Sequence, residues 1–463
     1  MAGVRALPRS TDVKLLYVAP SAYLLGGVQD WLADLVAGQR ALGAGVTVAV
    51  PDDALHQLRP YAERYPQLQP IPFRNPTGSP VGRIHALERL LRAHPEHLVV
   101  GVNIASLFPA VRRLRQLGGF RGKLVMTLHA IEAEYFADLR EHHDILDGLV
   151  VTNRLSAALA KHLGGIASDR VLYAPYGVSL DGRAGPLVPS RQPTGLTATN
   201  GNVNELRIAW VGRLEREQKR VQDIAPILAA LDGLATPFRL TIAGDGPERT
   251  NLERALATWI DRGLVNFTGP ISRQQLRDQV YHCNQALLIT SQWETGPIVA
   301  WEAMAAGMAV VASRYVGSGV EGALVHNQTA LLFPVANAQE AACQLSRLPN
   351  SALLRELAAA GADLVEQRYS RQASLAAWMQ AFQTVLEFAP LPAPGMPPPL
   401  AAAGGLDRRL GVEPAERLRR WVGRRFRHRE AGSEWPHSGH PSSAPVALLE
   451  LAAELDRRSP RHE

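Results

Sequence analysis

The chain has 463 residues, 46% of them hydrophobic, and a formal net charge of +6. That length and apolar content provide for two domains of ordinary size with their own cores, plus extra segments. No run of 18 uninterrupted apolar residues occurs, which excludes a conventional membrane-spanning helix. Residues 1–12 lack the apolar core of a secretory signal, so a cytoplasmic location is the expectation.

In chain order, strand-like apolar runs alternate with helix-like runs almost throughout, which predicts parallel sheets with helices on both faces. Strands are expected at residues 14–19, 46–50, 98–102, 124–128, 148–152 and 171–173, with a helix opening at Gly26-Gly27 and running to about Gln39. From 185 to 205 the chain turns polar and rich in Pro, Gly, Thr and Asn. A structureless stretch of that length is unusual inside one domain and natural between two. A second series of strands follows at 207–211, 239–243, 265–267, 286–290, 309–312 and 330–333, and helices from 351 to about 388 finish the globular part. The two cysteines, Cys283 and Cys343, stand in helix-like segments without metal-ligand spacing and read as reduced structural thiols.

The expected division is a first domain at 12–185, a linker at 186–206, a second domain at 207–370 and a helix at 371–389 that returns to the first. A tail at 390–463 is expected to be largely disordered or to form peripheral helices. Its residues 391–400 are proline-rich, which excludes a regular helix or a sheet interior. Between 416 and 429, Leu418, Trp421, Val422 and Phe426 share one helical face with arginines around the rest, and a further short helix is expected at 446–457.

The most informative stretch is Glu294-Thr295-Gly296-Pro297-Ile298-Val299-Ala300-Trp301-Glu302, which leaves the strand at 286–290 and enters a helix that ends near Gly307. One carboxylate falls on the strand-to-helix turn and the other inside the helix. Between them the helix N-terminus presents free N–H groups, a seat for a phosphate. Pro297 is expected at the first helical position, where its missing N–H costs nothing. This segment resembles the glutamate–seven residues–glutamate motif of retaining glycosyltransferases with the GT-B fold, in particular glycosyltransferase family 4. The resemblance extends to Gly212-Arg213-Leu214 with Lys219, and to Gly244-Asp245-Gly246-Pro247.

The resemblance implies an α/β protein with two Rossmann-like domains facing a cleft, the nucleotide-sugar on the second and the acceptor on the first. Carried over, Glu294 contacts the donor sugar and Glu302 the ribose. Arg213 and Lys219, with Gly296 and Ile298 at the helix start, hold the diphosphate, whose growing negative charge pre-placed cations stabilise. His129, at the carboxyl end of the 124–128 strand, lies where the resemblance puts a histidine near the reacting sugar, although a lone histidine there can also be structural. Gly26 and Gly27 form a glycine-rich loop that meets phosphates or acceptor, or else a plain tight turn. Asp245 reads equally as a turn cap.

The activity implied is transfer of a sugar, with retention, from a nucleoside-diphosphate-sugar to an acceptor hydroxyl of a glycan or a lipid-linked molecule, in cell-surface polysaccharide or glycolipid assembly. No metal or other cofactor is expected, and no nucleic-acid partner. Two rival readings are a GT-B-like epimerase, which would turn over donor alone, and a silent binding protein with the same fold. The basic segment 416–429 suggests a peripheral contact with the inner face of the membrane, with nucleic-acid contact or packing on the enzyme body as the competing readings.

Overall fold

A computed structural model describes residues 13–20, 27–53, 56–95, 97–180, 205–349, 351–396, 399–400, 402–426 and 445–459. The chain divides into two compact units. The first comprises Met1–Pro175 with Leu375–Leu448, and the second Tyr176–Ser374 with Leu449–Glu463. Gly26 and most of the expected linker, 186–204, lie outside the described residues.

The first unit holds seven parallel strands: β1 (Lys14–Val18), β2 (Gly45–Pro51), β3 (Ile71–Phe73), β4 (Leu98–Val102), β5 (Lys123–Leu128), β6 (Gly148–Val151) and β7 (Val171–Tyr173). Their order is β3-β2-β1-β4-β5-β6-β7. A sheet covered by helices on both faces needs strands apolar at every position, and Leu98-Val99-Val100-Gly101-Val102 is buried throughout. Only β3 escapes the sequence reading. It is three residues long with Pro72 in the middle, which is tolerated because it sits at the sheet edge.

The second unit holds six parallel strands: β8 (Leu206–Val211), β9 (Phe238–Ala243), β10 (Val265–Gly269), β11 (Ala286–Ile289), β12 (Ala309–Ser313) and β13 (Leu331–Phe333). Their order is β10-β9-β8-β11-β12-β13. Alternate residues feed two cores. Ile208, Trp210, Leu240, Ile242, Leu288 and Val311 face the helices Ile224–Gly233 and Ala338–Ser346. Ala209, Ala243, Leu287, Ile289, Val310 and Ala312 face the helix Ile298–Ala305. That helix is anchored by Trp301, whose ring stacks on Tyr369 at 4.0 Å between centroids. Each fully buried aliphatic side chain contributes about 1.5–3 kcal/mol, so these two layers hold the sheet's strand ends in place.

In each sheet the connections reverse direction once, between β1 and β4 and between β8 and β11. Ligands of open α/β sheets bind in the crevice at such a point, outside the carboxyl ends of the strands. β8 and β11 pair only at Ile208–Ala286 and Ala209–Leu287. Their last two residues run on unpaired with each other, so the loops that follow them diverge.

The described part of the tail is largely helical. Helices Gly405–Leu410 and Val412–Val422 pack on the first unit, and Pro445–Arg458 forms the further helix. Residues 427–444 lie outside the described residues. Cys343 lies exposed on a helix, whereas Cys283 is buried in the 3-10 turn Tyr281–Cys283 rather than on a helix proper; both are free thiols.

Candidate active site

The loop after β8, residues 212–220, and the loop after β9 are joined backbone to backbone. Gly212 N–H donates to Ala243 O at 3.0 Å and Leu214 N–H to Asp245 O at 2.8 Å. The approach is so close that a Cβ on Gly244 would lie 1.9 Å from Gly212 O, and Gly244 has φ 134, a conformation that favours glycine. Asp245 accepts the Gly246 N–H at 2.8 Å and so caps its own turn, as the structural reading of that residue had it. The glycines of this segment are scaffold that fixes the path of the loop carrying Arg213 and Lys219.

Two cations follow one another in that loop, and they are paired differently, Arg220 within its own turn and Lys219 across to the loop after β11. Arg220 is turned into a left-handed conformation (φ 50) and forks onto Asp223 at 2.8 and 3.0 Å. Lys219 is held at its backbone by Glu215, which accepts its N–H at 2.6 Å, and by Thr290, whose hydroxyl donates to its carbonyl at 2.6 Å. Thr290 in turn accepts the Trp210 indole N–H at 3.1 Å. Gln292 N–H donates to Gln218 O at 2.7 Å, so residues 218–219 run alongside the loop after β11. Arg213 is exposed and, among the described residues, makes no hydrogen bond or ion pair.

Across this junction Lys219 Nζ meets Glu294 Oε1 at 2.6 Å. Glu294 is 6% exposed and receives a second bond, from Ser291 Oγ, at 2.6 Å on the same oxygen. Both donors use Oε1, which leaves Oε2 without a hydrogen-bond partner among the described residues. Glu294 N–H donates to Val316 O at 3.2 Å, which ties this loop to the one after β12. The carboxylate sought on the strand-to-helix turn is therefore fixed from both sides at the β8/β11 crevice.

Gly296 follows with φ 88, a left-handed turn that lets the chain drop into the 298–305 helix. Pro297 is the N-cap of that helix, not its first residue as the sequence reading had it; with ψ 96 it is still extended, and Ile298 opens the helix. No side chain caps this end. The free N–H groups and the helix dipole give this end a partial positive charge.

Glu302 lies one turn further in. Tyr281 OH donates to its Oε2 at 2.9 Å, and Arg273 Nε stands 3.8 Å from its Oε1. Burial and the neighbouring Glu302 push the Tyr281 phenol well above its usual range, so it stays a donor. Neither partner is legible in the sequence. Arg273 and Tyr281 lie outside the motif, and only the sheet order brings the segment before β11 under the helix after it.

The glycine-rich turn after β12 is already occupied. Asp456, from the helix Pro445–Arg458, accepts the Val320 N–H at 2.8 Å, and a Cβ on Gly319 would come within 3.0 Å of it.

In the first unit, Gly27 is the first residue of the helix Gly27–Ala41. His129 follows β5 and is buried. Its Nε2 lies 2.8 Å from Thr127 Oγ1, and its ring meets Trp31 edge-on at 4.6 Å. Burial pushes the imidazole down to about 3, so it is neutral at ordinary pH.

Residues 205–351, which carry the site of the second unit, match the family model described as glycosyl transferases group 1. Residues 205–351 thus resemble a group 1 glycosyltransferase domain, in a chain with the GT-B fold. Over 290 residues it is 24% identical to the uncharacterized glycosyltransferase YqgM of Bacillus subtilis, covering 60% of this chain and 75% of that one. A shorter match, 31% over 144 residues, is to the lipopolysaccharide core biosynthesis glycosyltransferase LpsD of Rhizobium meliloti, covering 31% of this chain and 40% of that one. Among solved structures, the apo form of the lipopolysaccharide outer core galactosyltransferase WaaB shares the fold at a TM-score of 0.62 and 16% identity, over 80% of this chain and 99% of that one. Anabaena Alr3699/HepE, solved with UDP and glucose, does so at 0.63 and 16%, over 80% of this chain and all of that one. The glycosyltransferase domain's match ends short of the tail helices, which have no part in it.

Proposed function

We propose that this glycosyltransferase is of the family 4 type and moves a sugar, with retention, from a nucleoside-diphosphate-sugar to an acceptor hydroxyl. The observation that carries the reading is the Lys219–Glu294 pair, 2.6 Å apart at the β8/β11 crevice, beside the uncapped helix at Ile298. Arg213 and Lys219, with the N–H groups at Gly296 and Ile298, hold the diphosphate. Pre-placed positive charge of this kind stabilises a leaving group that becomes more negative as the glycosidic bond breaks. Glu294, through its unpartnered Oε2, takes a hydroxyl of the donor sugar. Glu302, held by Tyr281, takes the ribose hydroxyls.

In this reading the departing phosphate accepts the proton of the acceptor hydroxyl on the face it leaves, so no enzyme nucleophile is needed. His129 contacts the reacting sugar as a neutral imidazole, and Gly27, at the start of its helix, meets the phosphates or the acceptor. No metal is required, since the two cations and the helix end supply the charge. A UDP complex among the fold neighbours supports a nucleoside diphosphate, and the lipopolysaccharide relatives support a glycan or lipid-linked acceptor on the cytoplasmic side of a cell envelope.

Calorimetric titration of UDP, GDP, ADP and TDP into the wild type and Arg213→Ala tests the reading. One nucleotide is expected to bind, and the substitution to weaken it by about tenfold or more, as loss of a charge-assisted contact does. Failure of all four to bind overturns the proposal.

A further inference from the structure

We infer that the helix Val412–Val422 is a docking face for an anionic lipid surface, set by a helix that is amphipathic the wrong way round for a water-exposed position. Its buried side carries two charged residues, Glu416 and Arg419, beside Ala415. Its outer side shows an apolar stripe, with Leu418 37%, Trp421 82% and Val422 57% exposed, and exposed Arg417 and Arg420 on the same helix. Spacings of three and four place the apolar residues on one helical face.

The inward polar face explains why the helix cannot roll over to hide its tryptophan. Glu416, 1% exposed, accepts from Thr77 Oγ1 at 2.8 Å and from Ser79 Oγ at 2.5 Å, and Arg420 Nε donates to it at 3.1 Å. Ser79 is itself the N-cap of the helix Pro80–Ala93. Arg419 pairs with Asp407, while Glu413 takes Arg113 at 2.6 Å and His85 at 3.2 Å. Turning the helix would strand this buried network, and unpaired buried charges are expensive. Phe426 does not share the outer face that the sequence suggests. The helix stops at Gly423 (φ 68), and Phe426 turns back: its N–H donates to Thr77 O at 2.7 Å, and Arg419 lies over its ring.

Charge sorts the same way. All three carboxylates of the described residues between 399 and 426, Asp407, Glu413 and Glu416, are bound by inward partners. Arg408, Arg409, Arg417, Arg424 and Arg425 are exposed, and among the described residues none has an ion pair. Leu410, at the end of the preceding helix, is a further exposed apolar residue at 48%. Exposed, unpaired arginines on the same two helices as an exposed Trp/Leu/Val cluster fit the bilayer interface, where arginines meet lipid phosphates and the indole and aliphatic groups sit just below them. A nucleic acid would satisfy the arginines and leave the apolar cluster in water.

The test is sedimentation of the full chain with phosphatidylcholine vesicles, with and without about one-third phosphatidylglycerol. The wild type is expected to bind only the anionic vesicles. An arginine near such a surface adds about fivefold to the partition, so Arg417→Gln with Arg424→Gln and Arg425→Gln should lower it on the order of a hundredfold. Trp421→Ser, at a position too exposed to unsettle the fold, should weaken binding and abolish quenching by brominated lipid. Unchanged thermal melting shows that both variants are folded. No vesicle binding, equal binding by both variants, or duplex DNA binding that the arginine variant loses while vesicles stay unbound would each overturn the inference.

Discussion

Replacing Lys219 by methionine removes the ammonium group 2.6 Å from Glu294 Oε1 and keeps most of the side chain's bulk. Glu294, 6% exposed, is then left with Ser291 as its hydrogen-bond donor. Breaking a fully buried pair costs about 3–5 kcal/mol. The Lys219 side chain is 21% exposed, so solvent screens part of that, and roughly 2–3 kcal/mol is the appropriate loss. Glu294→Gln keeps the contact with Ser291 and frees a lysine that can reach water, so it should cost about 1 kcal/mol. The double variant should lose no more than Lys219→Met alone, which makes the coupling roughly 1–2 kcal/mol. Urea unfolding of the four proteins reads this cycle, followed through the transition of the second unit. Pyrophosphate affinity, measured alongside, should fall about tenfold or more in Lys219→Met, since a charge-assisted phosphate contact is lost. Additivity within about 0.5 kcal/mol would refute the account of a mutually positioned pair.

Gly244→Ala should destabilise the second unit by about 3 kcal/mol or more, because its Cβ would enter van der Waals space of Gly212 O at 1.9 Å; urea unfolding checks it. Tyr281→Phe removes the 2.9 Å bond to Glu302; it should weaken nucleoside-diphosphate binding by about tenfold while leaving pyrophosphate unchanged, since a hydrogen bond to a charged group is worth about 1.5–3 kcal/mol. For His129 the folded value of about 3 lies below the ordinary 6.5. The unfolded chain therefore takes up a proton that the folded one refuses, and stability present above 6.5 drains away as pH falls toward 3. His129→Gln should flatten that part of the stability profile, and the wild-type imidazole should show no titration by NMR between pH 5 and 8.

The strand positions were legible in the chain because a sheet buried on both faces demands runs such as Leu98–Val102, with no polar position to confuse the pattern. The motif from Glu294 to Glu302 was legible because its two carboxylates, turn glycine and helix start are local in sequence. What lay beyond reach was non-local. Arg220 is as basic as Lys219, and only the fold shows it spent on Asp223. Tyr281 and Arg273 have no motif of their own and meet Glu302 because β11 separates them from the helix it feeds. Periodicity gave the apolar stripe of Val412–Val422 but left open whether it faces outward or packs on the body, which the buried Glu416 and Arg419 show. Sequence alone thus determined which segments are strands, the short edge strand β3 excepted, and which residues carry charge at their ends. Tertiary structure decided which of those charges are left free, because a charge is neutralised by whatever neighbour the sheet order delivers, and that neighbour can lie anywhere in the chain.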